Sequence, residues 1–309
     1  MPDRPPFRPV PYDEVPALPR RPHRFWESTL RPVRIETPAW GSLEVSTRVF
    51  GRGPPLLLVH GLMTTAYSWR YVLPALGQRF TLYMPDLVGA GRSDKPDVRY
   101  HPDDLADSLG ATVRALGIAG CPALGNSMGG YLAMRLVLRD PAVLGRLVNL
   151  HAPGLVTARN MALSAAWSLL PGPEAIVRAL VSLSPERWVH RNVHYWDETL
   201  KSREEHREYA APLKTPEGVR AFARNLGDTL AVSAMRDFER RLRALGGRFP
   251  VPLKLVYARR DPMVPPGVGR RLHDLLPEAE LVWLEEASHF AHVDATERFL
   301  AAIGDFLPG

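Results

Sequence analysis

The sequence has little cysteine, little lysine and no long apolar run. Cys121 is the one cysteine among 309 residues, so the chain can form neither an internal disulfide nor a cysteine cluster for zinc or iron–sulfur. The longest nearly apolar stretch, Met161 to Leu170, spans ten residues, about half of what a bilayer-crossing helix needs. Residues 1–16 contain no apolar region of the secretory type. These absences predict a cytoplasmic protein without a membrane span.

Lysine is scarce, because only four of the 39 basic residues are lysine and the other 35 are arginine. The formal net charge of the chain is +6. Basic proteins attract nucleic acids and anionic surfaces. Here the arginines alternate with acids, as in residues 203–208, which is typical of a solvated helix face. No nucleic-acid recognition motif accompanies them, so we expect no nucleic-acid partner. The 45% apolar and 23% charged composition is that of a globular protein.

Proline is concentrated at one end of the chain, because the first forty residues contain ten of the 31 prolines. This density sustains neither a helix nor a central strand. Further along, short apolar runs alternate with helical patterns, which predicts βαβ units, a mostly parallel sheet and helices on both faces. The alternation stops after His151 and resumes at Val251. The predicted organisation is an extended arm (1–30), an α/β core (31–154 and 236–309) and an inserted helical cap (155–235).

Apolar runs and helical periodicity assign elements to the core. Leu56–Val59 is predicted to be a fully buried strand, because four consecutive aliphatic residues leave no polar face. Val33–Thr37 and Leu43–Phe50 are predicted to form an antiparallel pair that turns at Gly41–Ser42. The other predicted strands are Phe80–Leu87, Pro122–Ser127, Leu147–His151, Leu253–Tyr257 and Leu281–Leu284. Helices are predicted at about 71–79, 101–117, 128–139, 267–276 and 294–307.

The clearest chemical signal is the G-x-S-x-G segment from Gly125 to Gly129, centred on Ser127. It follows a short apolar strand and precedes a helical pattern. Between a strand and a helix such a segment forms a tight, strained turn that exposes the serine hydroxyl at the carboxyl edge of the sheet. Gly125 and Gly129 are needed there, since a Cβ at either position would clash across the turn. Ser127 is therefore predicted to be a nucleophile.

A serine nucleophile needs a base, and the base needs a group that orients it. His289 follows the last predicted strand and precedes the terminal helix. Asp261 lies just beyond the predicted strand Leu253–Tyr257. Since ligands of open α/β sheets bind at the carboxyl edge, we expect Ser127, Asp261 and His289 to meet there. Their order along the chain matches a Ser–Asp–His triad of the kind found on such sheets.

The sequence resembles the α/β-hydrolase family from about residue 33 to residue 307. This resemblance implies the α/β-hydrolase fold, with a mostly parallel central sheet and an inserted helical cap. Four separate motifs carry it: His60-Gly61 after the third predicted strand, the D-x-x-G-x-G-x-S-x-x-P pattern from Asp86 to Pro96, the elbow at Ser127, and the Asp261/His289 pair.

The resemblance also implies how charge is stabilised during the reaction. In this family two backbone N–H groups form an oxyanion hole, and here they would belong to Met128 and to Leu62. The implied chemistry needs no cofactor, and the expected partner is a small ester or lactone. Oligomeric state is left open by the sequence.

The subfamily is less clear from the motifs. The loop from His60 to Arg70 is similar to that of haloalkane dehalogenases and epoxide hydrolases, but those enzymes use an aspartate nucleophile. Ser127 argues against both, and Leu62 stands where dehalogenases have a halide-binding side chain. The elbow is similar to that of meta-cleavage-product C–C hydrolases. Their Gly/Ser-rich oxyanion loop and the tryptophan after the histidine are replaced here by Leu62-Met63 and Phe290.

We therefore expect an esterase or lactonase that acts through an acyl-enzyme. The alternatives are a C–C hydrolase, or a cofactor-free oxygenase or perhydrolase with the same triad. A non-catalytic scaffold is a further alternative, although binding alone needs no serine–histidine–aspartate set.

Two weaker patterns concern the cap. Its aromatic residues and the residues beside the motifs predict an apolar pocket lined by Met63, Phe290, Trp167 and Trp196. His190 and His194 have the spacing of two metal ligands on one helix face. No glutamate lies between them as a base and no third ligand is evident, so we expect cap-surface histidines and no metal.

Overall fold

The computed structural model describes residues 5–229 and 231–307. Its strands are β1 (Thr29–Leu30), β2 (Val33–Thr37), β3 (Gly41–Val45), β4 (Thr47–Gly51), β5 (Pro55–Val59), β6 (Thr81–Pro85), β7 (Cys121–Asn126), β8 (Leu144–Leu150), β9 (Leu253–Ala258) and β10 (Glu280–Leu284). Its α-helices are α1 (Leu73–Leu76), α2 (Pro102–Leu116), α3 (Met128–Arg139), α4 (Ala158–Leu169), α5 (Pro173–Leu183), α6 (Pro185–Asn192), α7 (Arg203–Ala210), α8 (Pro216–Thr229), α9 (Val232–Ala244), α10 (Pro266–Leu275), α11 (Ala291–Asp294) and α12 (Thr296–Ile303).

Eight strands form one sheet in the order β1-β4-β6-β5-β7-β8-β9-β10. The pairs β1–β4 and β4–β6 are antiparallel, and from β6 to β10 the strands are parallel. This confirms the predicted α/β fold with a mostly parallel central sheet. The carboxyl ends of β7, β8 and β9 consequently lie side by side at one edge.

The sheet is buried on both faces. Successive residues of a strand point to opposite faces. In β5, Leu57 and Val59 belong to one apolar cluster, together with residues of α2, α3 and α10, whereas Leu56 and Leu58 belong to a second, together with residues of α1 and α12. All four side chains are fully buried. This is why the strand reads as a continuous aliphatic run rather than as an alternating one.

The predicted strand Leu43–Phe50 is wrong in one respect, because the chain changes sheets at Ser46. β3 pairs with β2 in a separate two-stranded ribbon, and β4 joins the main sheet beside β6. The Ser46 N–H donates to Ser93 Oγ at 2.9 Å, and its carbonyl accepts from the Asp86 N–H at 2.8 Å. These bonds to another loop replace the strand ladder at that residue. The hairpin turn lies before Gly41, which opens β3 with φ +69°.

Two predicted helices are shorter than expected. The helix predicted at 71–79 covers only Leu73–Leu76, because the chain before it forms a 3₁₀ turn at Ala66–Trp69. A Cβ at Gly77, where the helix ends, would lie 2.6 Å from the Phe50 ring, so the chain passes too close to β4 for another side chain. The helix predicted at 294–307 is instead α11 and α12, separated at Ala295 by a non-helical φ of −124° and ψ of 40°.

Between β8 and β9 the described residues contain helices and no strand. The boundary predicted at residue 235 falls inside α9, which packs on the core. Phe238 of α9 meets Tyr131 of α3 edge to face at 4.9 Å between ring centroids. Arg135 of α3 donates to the Ala234 carbonyl at 3.2 Å. The segment that stands apart from the sheet therefore comprises α4 to α8.

A buried charge network joins this cap to the core. Arg70 follows the 3₁₀ turn at Ala66–Trp69 and forms an ion pair with Glu205 of α7, with both side chains fully buried. Tyr195 donates to Glu205 Oε2 at 2.8 Å, and Arg70 donates to the Tyr209 hydroxyl at 3.3 Å. The Arg70 guanidinium also lies 4.6 Å from the centre of the Tyr67 ring. Arg70 Nε and Glu205 Oε1 have no hydrogen-bond partner among the described residues, so the pair is only partly satisfied. It still fixes where α7 sits on the core, since removing one partner would leave an unpaired buried charge.

The arm lies along the cap and does not extend into solvent. The Phe7 N–H donates to the Trp196 carbonyl at 3.0 Å, and the Tyr12 hydroxyl donates to Glu186 at 3.0 Å. Arg21 donates to the Val293 carbonyl at 3.3 Å, so the arm also reaches the segment after β10. Its predicted end at residue 30 is too late, because Thr29 pairs with β4 and belongs to the sheet.

Three rings bind the arm to the cap. Tyr12 stacks on His206 at 5.7 Å, and His190 meets His206 edge to face at 5.0 Å. Neither ring nitrogen of His206 has a hydrogen-bond partner within the described residues. Burial lowers the pKa of His206 to about 3, and the neighbouring cations Lys201 and Arg203 act in the same direction. In the folded protein the His206 ring is therefore neutral near pH 7.

We predict that replacing His206 by phenylalanine makes stability less sensitive to acid. An unfolded histidine takes up a proton near pH 6.5, whereas folded His206 does not until about pH 3, so folding loses stability as pH falls through this interval. Phenylalanine keeps the stacking and sacrifices no hydrogen bond. Between pH 6 and 4.5 the variant should lose about 1 kcal/mol less per pH unit than the wild type. Urea unfolding at several pH values measures this, and equal slopes would contradict it.

Candidate active site

The strand β7 and the helix α3 meet at Ser127, whose backbone is strained. Its φ is 53° and its ψ is −122°, a region that costs an L-residue energy and that persists only where the surroundings enforce it. A Cβ on Gly125 would lie 2.5 Å from the Gly130 Cα, and one on Gly129 would lie 2.3 Å from the Val59 carbonyl oxygen. Bare backbone at these positions lets β5, β7 and α3 approach one another, and this approach holds Ser127 in its unusual conformation.

The residues on either side fix the elbow further. The Ser127 N–H donates to the Leu150 carbonyl at the end of β8 at 2.8 Å. The Asn126 side chain is fully buried and its amide donates to the His289 carbonyl at 3.0 Å. The elbow is thus tied directly to the backbone of the residue that the sequence predicts as its base. Ser127 itself remains partly accessible, unlike its neighbours Asn126 and Met128.

Asp261 and His289 meet as the sequence predicts. His289 Nδ1 lies 2.7 Å from Asp261 Oδ2, and both side chains are almost entirely buried. The other carboxylate oxygen accepts the N–H groups of Met263 at 2.7 Å and Val264 at 2.9 Å. An ionised carboxylate only accepts, so Nδ1 donates and the neutral His289 ring keeps Nε2 free to accept a proton. This is the tautomer that a general base needs.

The charge on Asp261 is stabilised despite its burial. Burial by itself would raise the pKa of this carboxyl, but the adjacent His289 and the backbone N–H of Val264 outweigh it, and the pKa lies below its ordinary value. The carboxylate is therefore ionised throughout the neutral range.

His151 was not among the residues predicted from the sequence, yet it lies against the pair. It follows β8 with φ +55°, and its ring centroid is 5.5 Å from that of His289. Its Nε2 accepts the Ala258 N–H at 2.7 Å, so the neutral ring carries its proton on Nδ1. Burial lowers the pKa of His151 to about 4, and it is neutral at pH 7. Its position directly after a strand of the core was the one signal that could have indicated it.

His151, Asp261 and His289 also form the one cluster of possible metal ligands found among the described residues, with ligand atoms within 4.8 Å of one another. Their chemistry does not suit a metal. Asp261 and His289 already use the facing atoms for each other, and the unbonded His151 nitrogen carries a hydrogen. Such a donor set serves to hold and move protons.

The loop after β5 lies beside the elbow. A Cβ on Gly61 would be 3.0 Å from the Ser127 Cβ, so the backbone here runs directly past the serine. His60 fixes the loop, because its Nε2 accepts the Leu87 N–H at 2.9 Å and its Nδ1 donates to the Gly61 carbonyl at 2.8 Å. Met63 has φ +64°, which is unusual for a side-chain-bearing residue. The backbone of this loop and the elbow therefore lie next to each other at Ser127.

The pattern from Asp86 to Pro96 supports this loop. Asp86 accepts the Ala66 N–H with one carboxylate oxygen at 2.8 Å and the Arg92 N–H with the other at 2.9 Å. Gly91 lies so close that a Cβ would be 2.2 Å from that carboxylate, so no other residue fits there. The acid therefore has a structural role, holding the 3₁₀ turn at Ala66–Trp69 that follows this loop.

A narrow cleft lies between this loop and the cap. On the core side it is lined by Gly61, Leu62, Met63 and Met128, and on the cap side by Tyr209, Leu213, Phe222 and Asn225, among others. Most of its surface is apolar. Its free volume is only about 20 Å³, so the cap packs closely against this loop beside the elbow. Met128 is the first residue of α3, and its N–H consequently has no acceptor within the helix.

Three of the four predicted pocket side chains lie elsewhere. Met63 lines the cleft, whereas Phe290 is buried against the rings of Tyr195 and His289. Trp167 packs over Gly227, where a Cβ would come within 2.8 Å of the indole. Trp196 stacks edge to face with Phe7 of the arm at 5.6 Å. Trp167 and Trp196 therefore pack inside the protein. α8 covers the indole of Trp167, and the arm covers the indole of Trp196.

His190 and His194 do not act together. His194 Nδ1 lies 3.2 Å from Glu198 Oε1, while His190 contacts the rings of Tyr12 and His206. His190 is partly buried under the arm, so it is not the surface residue that the sequence predicts.

A family model described as alpha/beta hydrolase fold matches residues 54–296, and the chain belongs to that family. It is 27% identical over 268 residues to the 2-hydroxymuconate semialdehyde hydrolase of Pseudomonas sp. strain CF600, covering 83% of this chain and 88% of the relative. It is 28% identical over 266 residues to the pimeloyl-[acyl-carrier protein] methyl ester esterase of Aeromonas hydrophila, covering 86% and 100%.

A solved structure of a putative alpha/beta hydrolase from Nostoc sp. PCC 7120 shares the fold, with a TM-score of 0.76 and 21% identity over 92% of this chain and 99% of that one. The protein is thus a hydrolase of the α/β-hydrolase fold. No α-helix in the described part of the chain has both the length and the apolar character required to cross a bilayer.

We predict that Ser127→Gly is more stable than Ser127→Ala by about 1 kcal/mol. Glycine adopts the observed backbone angles without strain, whereas alanine keeps the Cβ that makes them costly. The two variants are matched controls for each other, since both lack the hydroxyl. Denaturant unfolding of the pair measures the difference. If alanine proved equal or better, the elbow would not hold the strain described above.

Proposed function

We propose that the protein cleaves a carboxylic ester or lactone of a small to medium molecule through an acyl-enzyme. The observation that carries this proposal is the buried Asp261–His289 hydrogen bond of 2.7 Å, tied through Asn126 to the strained elbow at Ser127. The set supplies a nucleophile, a base in the correct tautomer and a charged group that orients it.

In the first step Ser127 Oγ attacks the carbonyl carbon while His289 Nε2 takes the hydroxyl proton. The carbonyl oxygen becomes an oxyanion, which the Leu62 and Met128 N–H groups bind at the edge of the cleft. The positive end of the α3 dipole adds to this stabilisation. Asp261 stabilises the imidazolium that forms. When the tetrahedral intermediate collapses, the ester C–O bond breaks and His289 returns the proton to the leaving alcohol.

The second step repeats this chemistry with water. His289 removes a proton from water, and the resulting hydroxide attacks the acyl carbon. The Ser127 ester bond breaks, Ser127 regains its proton from His289, and the carboxylic acid leaves. For a lactone, the alcohol and the acid remain in one product.

The size and polarity of the cleft favour an ester as the substrate. Its walls are mainly apolar and it is narrow, which suits a compact neutral acyl group. The Aeromonas relative is named as an ester esterase.

The second candidate is cleavage of a C–C bond in a ring-fission product. The elbow and the Pseudomonas relative, named as a semialdehyde hydrolase, favour it.

Removing the Ser127 hydroxyl should abolish catalysis. We expect Ser127→Ala to lower kcat for p-nitrophenyl esters by about 10⁴-fold or more, because triad members act as a unit. The wild type should be labelled by a fluorophosphonate probe and Ser127→Ala should not. A tenth of wild-type kcat in the variant would exclude Ser127 as the nucleophile.

The acidic limb of the pH profile should reflect a single proton. Asp261 has a pKa below its ordinary value and stays ionised, while His151, with a pKa of about 4, stays neutral. Neither of these two groups therefore changes charge between pH 5 and 8, and the proposed mechanism requires one unprotonated base. The logarithm of kcat/KM for p-nitrophenyl butyrate should fall toward acid pH with a slope of one. A slope of two would mean that another group titrates with it.

The C–C alternative has a direct assay. A ring-fission dienone loses its yellow colour when its C–C bond is hydrolysed, so absorbance follows turnover. A kcat/KM for such a dienone well above that for every ester would replace the ester proposal with the C–C one.

A further inference from the structure

The cleft contains one polar group that the catalytic chemistry does not use. Among the residues that line it, those with polar side chains are Thr64, Tyr209 and Asn225. Thr64 donates to the Gly61 carbonyl at 3.0 Å, and the Tyr209 hydroxyl accepts from Arg70 at 3.3 Å. Both are therefore engaged in holding the protein together. Asn225 differs from them.

Asn225 lies on α8 and is 2% exposed. Its Oδ1 accepts a hydrogen bond from the Thr229 hydroxyl at 3.3 Å, which orients the amide. The same hydroxyl lies 3.5 Å from the sulfur of Met128, which lines the cleft from the core side. The Nδ2 group, with two hydrogens to donate, bonds to no acceptor within residues 5–229 and 231–307.

Asn225 Nδ2 is not one of the fully buried side-chain atoms that lack a partner, so its donors keep access to the cleft and are available to a bound acceptor. Around Asn225 the cleft is formed by apolar groups such as Phe222 and Leu213, and no charged side chain lines it. Arg70, which lies behind Tyr209, is already paired with Glu205. The missing partner is therefore a neutral acceptor, since a carboxylate would enter this cleft without a countercharge.

We propose that Asn225 is a specificity-determining residue that donates to a neutral oxygen of the substrate. On this proposal, which rests on the ester hydrolysis proposed above, the preferred acyl group carries a ketone, ether or hydroxyl oxygen a few atoms from the scissile carbonyl. The Thr229 hydroxyl, which contacts both Asn225 and the Met128 sulfur, places the donor on the cap wall close to Met128 on the core wall. The apolar residues then pack against the carbon chain on either side of that oxygen.

The test compares acyl groups that differ in one oxygen. We would measure kcat/KM for p-nitrophenyl pentanoate and for its 3-oxo and 4-oxo analogues, and divide each value by the hydroxide-catalysed rate of the same ester. For the wild type, the corrected kcat/KM of the better oxo ester should exceed that of the pentanoate by about fivefold to tenfold.

Two variants separate the donor from the rest of the side chain. Asn225→Leu removes both polar atoms and should bring the corrected ratio to about one, whatever its absolute turnover of pentanoate. Asn225→Asp keeps the oxygen that Thr229 bonds but removes the donors, and the ratio should be lost there as well. A cooperative urea-unfolding transition like that of the wild type shows that each variant folds.

The outcomes distinguish the two proposals. If wild type hydrolyses the esters but the oxo-to-pentanoate ratio is the same in Asn225→Leu, the assignment of Asn225 is overturned and ester hydrolysis stands. If Asn225→Asp keeps the full ratio, the amide does not act as a donor and the assignment is likewise overturned. If no ester is turned over faster by the wild type than by Ser127→Ala, the proposed ester hydrolysis itself fails.

Discussion

The close approach of three backbones at Ser127 is the constraint on which the site depends. β5, β7 and α3 come together where Gly125 and Gly129 leave no room for side chains, and the serine between them is held at φ 53°. Because the backbone of Gly61 runs directly past Ser127, the same packing sets the position of the loop after β5. The proposed nucleophile and the loop beside it are thus placed by steric contact between backbones.

A second constraint acts on the cap. The buried pair Arg70–Glu205, supported by Tyr195 and Tyr209, fixes α7 against the 3₁₀ turn at Ala66–Trp69. Tyr209 forms part of the cleft wall. The charges that hold the cap in place are consequently one side chain away from the cleft, while the cleft itself remains apolar apart from a few neutral groups.

What the sequence could predict depended on local signals. The buried strand β5, the elbow at Ser127 and the strand-end positions of Asp261 and His289 all follow from short patterns, and the structure brings the last two within hydrogen-bond distance. His151 and Asn225 have no such pattern, because their surroundings come from elements far apart in the chain. Trp167 and Trp196 look like pocket residues by composition, yet the faces they occupy are covered by α8 and by the arm.

The arm also has a consequence for the order of folding. Its hydrogen bonds join residues that are 174 positions apart, as in Tyr12–Glu186, and 272 apart, as in Arg21–Val293. Closing such long loops has an entropic cost that local contacts do not have, so contacts of this kind form late. On the ribosome the arm is made before the cap and before most of the core, but the surface it binds is completed only when α11 has emerged. The arm is therefore synthesised early and is among the last segments to find its native contacts.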